Sequence, residues 1–147
     1  MIKETIKQNI FAALKGKKQV ELKVLRYILS QIKYEEISKQ KELSDEEIIA
    51  LLQKEVKKRK EAIEMFKKGG RNDIVNDEEQ QVAIIQLFLP KQLTDAEIKK
   101  IIDEVINAST DKANVGKIIG LVMVKVKGKA DGKMVAELVK KSLTTEY

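Results

Sequence analysis

Between Lys112 and Lys133 the sequence carries six lysines, Lys112, Lys117, Lys125, Lys127, Lys129 and Lys133, against a single acid, Asp131. A run with almost no interleaved acid raises the local potential and attracts anions. Its densest part is Lys125-Val126-Lys127-Gly128-Lys129-Ala130-Asp131-Gly132-Lys133. This segment reads as a tight turn leading into a helix, with Asp131 placed to cap it. Such a turn brings backbone amides and lysines to a helix N-terminus, an arrangement suited to a phosphate group. The same residues also make an ordinary helix–loop–helix turn. On residue types alone, solvation of a small domain and anion binding both stand.

Other chemistries are narrowed by what is missing. The chain has no cysteine and no histidine. That removes disulfides, thiolate and imidazole catalysis, and zinc sites of the usual kind. A metal would have to rest on carboxylates, and no such site is assigned. Nucleophilic catalysis is left with a serine beside a lysine. Ser30, Ser38, Ser44, Ser109 and Ser142 each read better as helix, linker, cap, loop and tail residues. No glycine-rich phosphate loop ends in Lys-Ser or Lys-Thr. We therefore assign no catalytic residue and no cofactor. The start of the sequence reads as no signal peptide, and no apolar run is long enough to span a membrane. The expected location is cytoplasmic.

A second pair of charges stands out because of where it falls. Arg59 and Glu78 interrupt the apolar stripes of two successive helices. They lie at similar distances on either side of Gly69-Gly70. An antiparallel hairpin brings them level, so the spacing predicts an ion pair that fixes helix register, a structural role rather than a catalytic one.

The elements that position these residues follow from periodicity and caps. Apolar residues recur at helical spacing nearly end to end, and no segment alternates as a strand does. With 43% hydrophobic residues and only 4% aromatics, the core must be built from Ile, Leu and Val. A first helix carries Ile2, Ile6, Ile10 and Leu14. A second carries Leu22, Leu25, Leu29 and Ile32. Ser44-Asp45-Glu46-Glu47 is a capping box that opens a third, with Ile49, Leu52, Val56, Ile63 and Phe66 inward. Gly69-Gly70 ends it, and a fourth with Val75, Val82, Ile85 and Leu89 runs to Pro90, the only proline. Thr94-Asp95-Ala96-Glu97 restarts the pattern as a second capping box. Its helix turns Ile98, Ile101, Ile102, Val105 and Ile106 inward. Asn114 caps a short helix with Val115, Ile118, Ile119 and Val122 inward and with Gly116 and Gly120 on one face, placed for close approach of another backbone, a packed helix ahead of a ligand. A last helix follows Asp131. The expected architecture is all-α. It has a four-helix N-terminal body with a long antiparallel hairpin, residues 1–90, and a small three-helix bundle, residues 93–147.

Several segments together carry a resemblance. Gly70-Arg71 with Asp73, Phe88-Leu89-Pro90-Lys91-Gln92-Leu93, Gly116-Lys117, and Lys127 to Lys133 resemble the YqeY-like proteins, over essentially the whole chain. That resemblance implies a helical N-terminal domain and a C-terminal domain similar to the tail of GatB. GatB is a subunit of a glutamine-dependent tRNA amidotransferase, and its tail contacts tRNA. The resemblance therefore implies a tRNA-facing module without catalytic machinery, although the family carries a carbon–nitrogen ligase label with glutamine as amido donor. Gln81 departs from the acidic residue expected at its position. The implied ligand is tRNA or another structured RNA, held on Lys117, Lys125, Lys127, Lys129 and Lys133. The alternative is an adaptor docking on amidotransferase subunits or another acidic partner. Tyr147 is the only aromatic residue of the small module. Recognition would therefore rest on backbone shape rather than base stacking.

Overall fold

The computed structural model describes residues 1–145. Among them are seven α-helices and no strand. The helices are α1 (Ile2–Lys15), α2 (Gln19–Lys39), α3 (Asp45–Lys68), α4 (Asn72–Gln86), α5 (Asp95–Ala108), α6 (Val115–Val126) and α7 (Gly132–Thr145). The chain divides into two compact units, Met1–Leu89 and Pro90–Tyr147. Tyr147 itself lies outside the described residues.

Local chemistry accounts for the helix ends. At α3 the Ser44 hydroxyl accepts from the Glu47 amide at 3.2 Å, and Glu47 accepts in return from the Ser44 amide at 3.3 Å. Two donors at the start of α3 that would otherwise go unmet are thus satisfied. At α5 the Thr94 hydroxyl accepts from the Glu97 amide at 3.2 Å, and at α6 Asn114 accepts from the Lys117 amide at 3.1 Å. Helix α3 ends at a turn where Gly70 takes φ +73, a conformation that costs glycine little. Helix α4 stops at Gln86. Leu87, Phe88 and Leu89 then bond three residues back, to Ile84, Ile85 and Gln86. This tightened turn runs into Pro90, which can donate no further amide.

In the first unit, α3 packs along α4 and α1 along α2, and α2 also meets α3 and α4. The core holds Ile6, Val24, Leu25, Ile28, Ile32, Ile48, Leu52, Val56, Ile63, Val75, Val82 and Ile85. Some stripe positions differ from the expected ones. Ile48 rather than Ile49 is central in α3, Val24 and Ile28 outrank Leu22 and Leu29 in α2, and Leu14 is exposed. Neighbouring positions on a helix are only about 100° apart, so a run of adjacent apolar residues leaves the inward one open. In the second unit, α5, α6 and α7 pack pairwise. They enclose Ile98, Ile102, Val105, Ile106, Ile118, Val122, Val126, Ala130, Val135, Val139 and Leu143.

The glycines of α6 do not serve close packing as the sequence suggested. A Cβ at Gly120 would meet nothing within 4 Å, and one at Gly116 would touch only Asn114, at 3.7 Å. Their face of the helix is open.

Candidate nucleic-acid interface

The loop between α6 and α7 is built by contacts from the segment that opens the second unit. Gly128 takes φ +75, and the Lys129 amide donates to the Val126 carbonyl at 2.8 Å. The Gln92 side-chain amide donates to the Gly128 carbonyl at 3.0 Å and to the Pro90 carbonyl at 2.8 Å. The Leu93 amide donates to the Lys129 carbonyl at 2.8 Å. Two consecutive residues therefore hold two consecutive carbonyls of the basic loop. Ala130 is buried and anchors the loop to the core. At Gly132 a Cβ would come within 3.2 Å of the Met123 side chain, so glycine lets α7 start close against α6.

Around this frame stand the lysines. Lys125 lies in the last turn of α6, Lys127 at its C-cap, Lys129 in the turn and Lys133 in the first turn of α7. All four are exposed. The last turn of α6 carries partial negative charge, which favours Lys125 and Lys127 there for purely structural reasons. The first turn of α7 carries the opposite sign and suits an anion. Asp131 immediately precedes α7, and its carbonyl accepts from the Val135 amide at 3.0 Å. Lys117 is exposed but stands at the other end of α6. At 1.5 Å rise per residue it is about 12 Å along the helix from Lys125. The loop thus gathers four of the five lysines, and Lys117 marks the edge of any footprint.

Sequence reasoning did not assign Gln92 a role. It lay within a recognised segment, but its contact to Gly128 spans 36 residues, and no local spacing signals it.

The second constellation lies in the first unit. Arg59 Nη1 is 3.6 Å from Glu78 Oε2. Its Nε donates to Glu55 at 2.9 Å, and Nη1 also donates to Gln81. The guanidinium lies 5.3 Å from the centre of the Tyr27 ring. Gln81, only 5% exposed, donates in turn to Asp77 at 2.9 Å. An amide at this position accepts from Arg59 and donates to Asp77 at once, which a carboxylate could not do. The departure at Gln81 therefore completes a chain of bonds across α3 and α4. Glu55 was discoverable from its place one turn before Arg59, whereas Tyr27 and Gln81 were not.

Glu36 and Glu47, at a helix junction of the first unit, are held below their ordinary range. The Lys3 ammonium and the Leu43 amide lower Glu36. The Ser44 amide, with Lys39 and Lys41 beside it, brings Glu47 to about 2. Each ties the end of α2 and the start of α3 together through bonds to neighbouring amides and lysines. Among the described residues no helix is long and apolar enough to cross a membrane.

The family model described as Yqey-like protein matches residues 3–143. An uncharacterized protein of Schizosaccharomyces pombe is 31% identical over 90 residues, covering 61% of this chain and 73% of that protein. "Altered inheritance of mitochondria protein 41, mitochondrial" of Pyrenophora tritici-repentis is 27% identical over 123 residues, covering 80% of this chain and 67% of that one. The protein of the same name from Lachancea thermotolerans is 34% identical over 85 residues, covering 57% of this chain but only 46% of its own length.

Proposed function

The chain belongs to the YqeY-like family, and from that premise we propose that it is a non-catalytic protein that binds tRNA or another structured RNA through its second unit. One observation carries the reading: the loop between α6 and α7 presents Lys125, Lys127, Lys129 and Lys133 around one turn that Gln92 and Leu93 hold in place. Phosphates are the ligand this turn suits. It offers four exposed cations, a helix N-terminus at Gly132, and one carboxylate, Asp131, at the position where a helix cap belongs. Lys117 extends the contact along α6. The GatB-like tail that the family resemblance implies would take a tRNA backbone as its ligand. The ligase label of the family would then reflect that shared tail, with no amide transfer by this chain alone. The compartment we propose is the cytoplasm. The mitochondrial location in the names of the fungal relatives belongs to those proteins.

The test is tRNA affinity measured across a salt series. Four phosphate contacts give a slope of about 3 log units of affinity per decade of salt. Changing Lys125, Lys127, Lys129 and Lys133 to alanine should remove most of the affinity and flatten that slope. If the variant binds as tightly and with the same slope, the reading fails.

A second reading is an adaptor docking on amidotransferase subunits or another acidic partner. What favours it is the open face of α6.

A further inference from the structure

Helix α6, Val-Gly-Lys-Ile-Ile-Gly-Leu-Val-Met-Val-Lys-Val, is apolar nearly all round. Helices of that kind are usually covered on every side. In its unit α6 has α5 and α7 to lie against, and they bury Ile118, Val122 and Val126. The opposite face is left uncovered, with Val124 76% exposed and Leu121 45% exposed. Gly116, Gly120 and Val124 recur every fourth residue along this face, and Lys117, Leu121 and Lys125 form the adjacent row. The two glycines leave a shallow trough beside that second row. Gly120 meets no atom that would exclude a side chain, yet an interior glycine weakens a helix relative to alanine. The fold of the unit gives no reason for it.

We propose that the outer face of α6 receives an acidic amphipathic helix of a partner protein. The chemistry of the face selects this occupant. The exposed Leu121 and Val124 call for apolar cover, which a sugar-phosphate backbone does not offer. Rows of side chains four residues apart accept the corresponding ridge of a second helix, and the glycine trough lets it approach closely. Lys117 and Lys125 stand on the same row at either end, and α6 carries no acid, so the matching helix is flanked by carboxylates. A second copy of α6 would bring the same cations together and is disfavoured. This site shares Lys117 and Lys125 with the proposed RNA surface but depends in addition on Gly120, Leu121 and Val124, which RNA binding does not use.

The experiment titrates the full-length, isotope-labelled chain with a synthetic amphipathic peptide of about four helical turns. The peptide has leucines along one face and glutamates at its edges. A matched peptide carries lysines in place of the glutamates. The acidic peptide should shift the amides of Gly116, Gly120, Leu121 and Val124, while the basic peptide should not. Val124→Gln and Gly120→Leu should each weaken the acidic peptide by about tenfold or more, with helicity unchanged and with tRNA affinity retained. The tRNA measurement separates failure here from failure of the RNA reading. Equal binding of both peptides, binding that leaves those amides unmoved, or no binding at all overturns the proposal. So does a shift of the same amides by an RNA duplex or by anionic vesicles when the acidic peptide causes none.

Discussion

Arg59 occupies a position on α3 where the apolar stripe would place a leucine. A guanidinium is tolerated there because Glu55, Glu78 and Gln81 take its donors and Tyr27 covers one face. Removing the cation strands two carboxylates that are 13% and 24% exposed. Arg59→Met should therefore destabilise the first unit by about 2–4 kcal/mol, toward the lower end of values for buried pairs because the site is partly wet. Glu78→Gln should cost less, about 1 kcal/mol, since Glu55 remains. Chemical denaturation measures both. Combining Arg59→Glu with Glu78→Arg should recover part of the loss of Arg59→Glu but not all, because Glu55 then faces a like charge. A double variant no more stable than either single one would show that the pair is not coupled. Glu36 and Glu47 make the same unit acid-sensitive. Their folded values lie below the ordinary carboxylate value of 4.5. The stability they add is therefore present above about pH 4.5 and is lost as pH falls below it, for Glu47 toward about 2. Glu47→Gln should lower the melting temperature at pH 7 and reduce its fall between those limits.

Helix α6 and the loop after it set two glycines in opposite roles. Gly120 has ordinary helical surroundings with open space, so Gly120→Ala should stabilise the second unit by about 0.5–1 kcal/mol. Gly128 has φ +75, so Gly128→Ala should destabilise it by about 1 kcal/mol. Thermal unfolding of both variants decides the signs, and matching signs would contradict this account of the loop. At this scale the sequence was legible wherever the cause was local. The Ser44, Thr94 and Asn114 caps and the Gly69-Gly70 turn all depend on residues within a few positions of each other. What escaped was nonlocal. The contact of Gln92 with Gly128, the choice of Ile48 over Ile49 and the bridging amide of Gln81 depend on elements brought together only by folding. The open face of α6 escaped for the same reason. A pair of glycines four residues apart looks alike whether a neighbour fills the trough or none does.

The chain has two separate sets of buried side chains, one reaching Ile85 and one starting at Ile98. Each core is built mostly of Ile, Leu and Val, and each isoleucine buried in it contributes about 1.5–3 kcal/mol. Ile85→Ala and Ile118→Ala should each cost about 2–5 kcal/mol. Each should lower the unfolding transition of its own unit, followed by residue-resolved hydrogen exchange. Equal loss of protection in both units from either change would show a single cooperative core. The first unit pairs cations with nearby acids around Glu47 and Arg59, whereas the turn between α6 and α7 carries Lys125, Lys127, Lys129 and Lys133 against one acid, Asp131.

The central claim is that this turn binds an RNA backbone. It is tested most directly by the salt dependence of tRNA affinity for the intact chain and for the variant with alanine at positions 125, 127, 129 and 133. The account predicts a slope of about 3 log units per decade of salt for the natural chain, and a much weaker, flatter response for the variant. Equal affinities with equal slopes would contradict it.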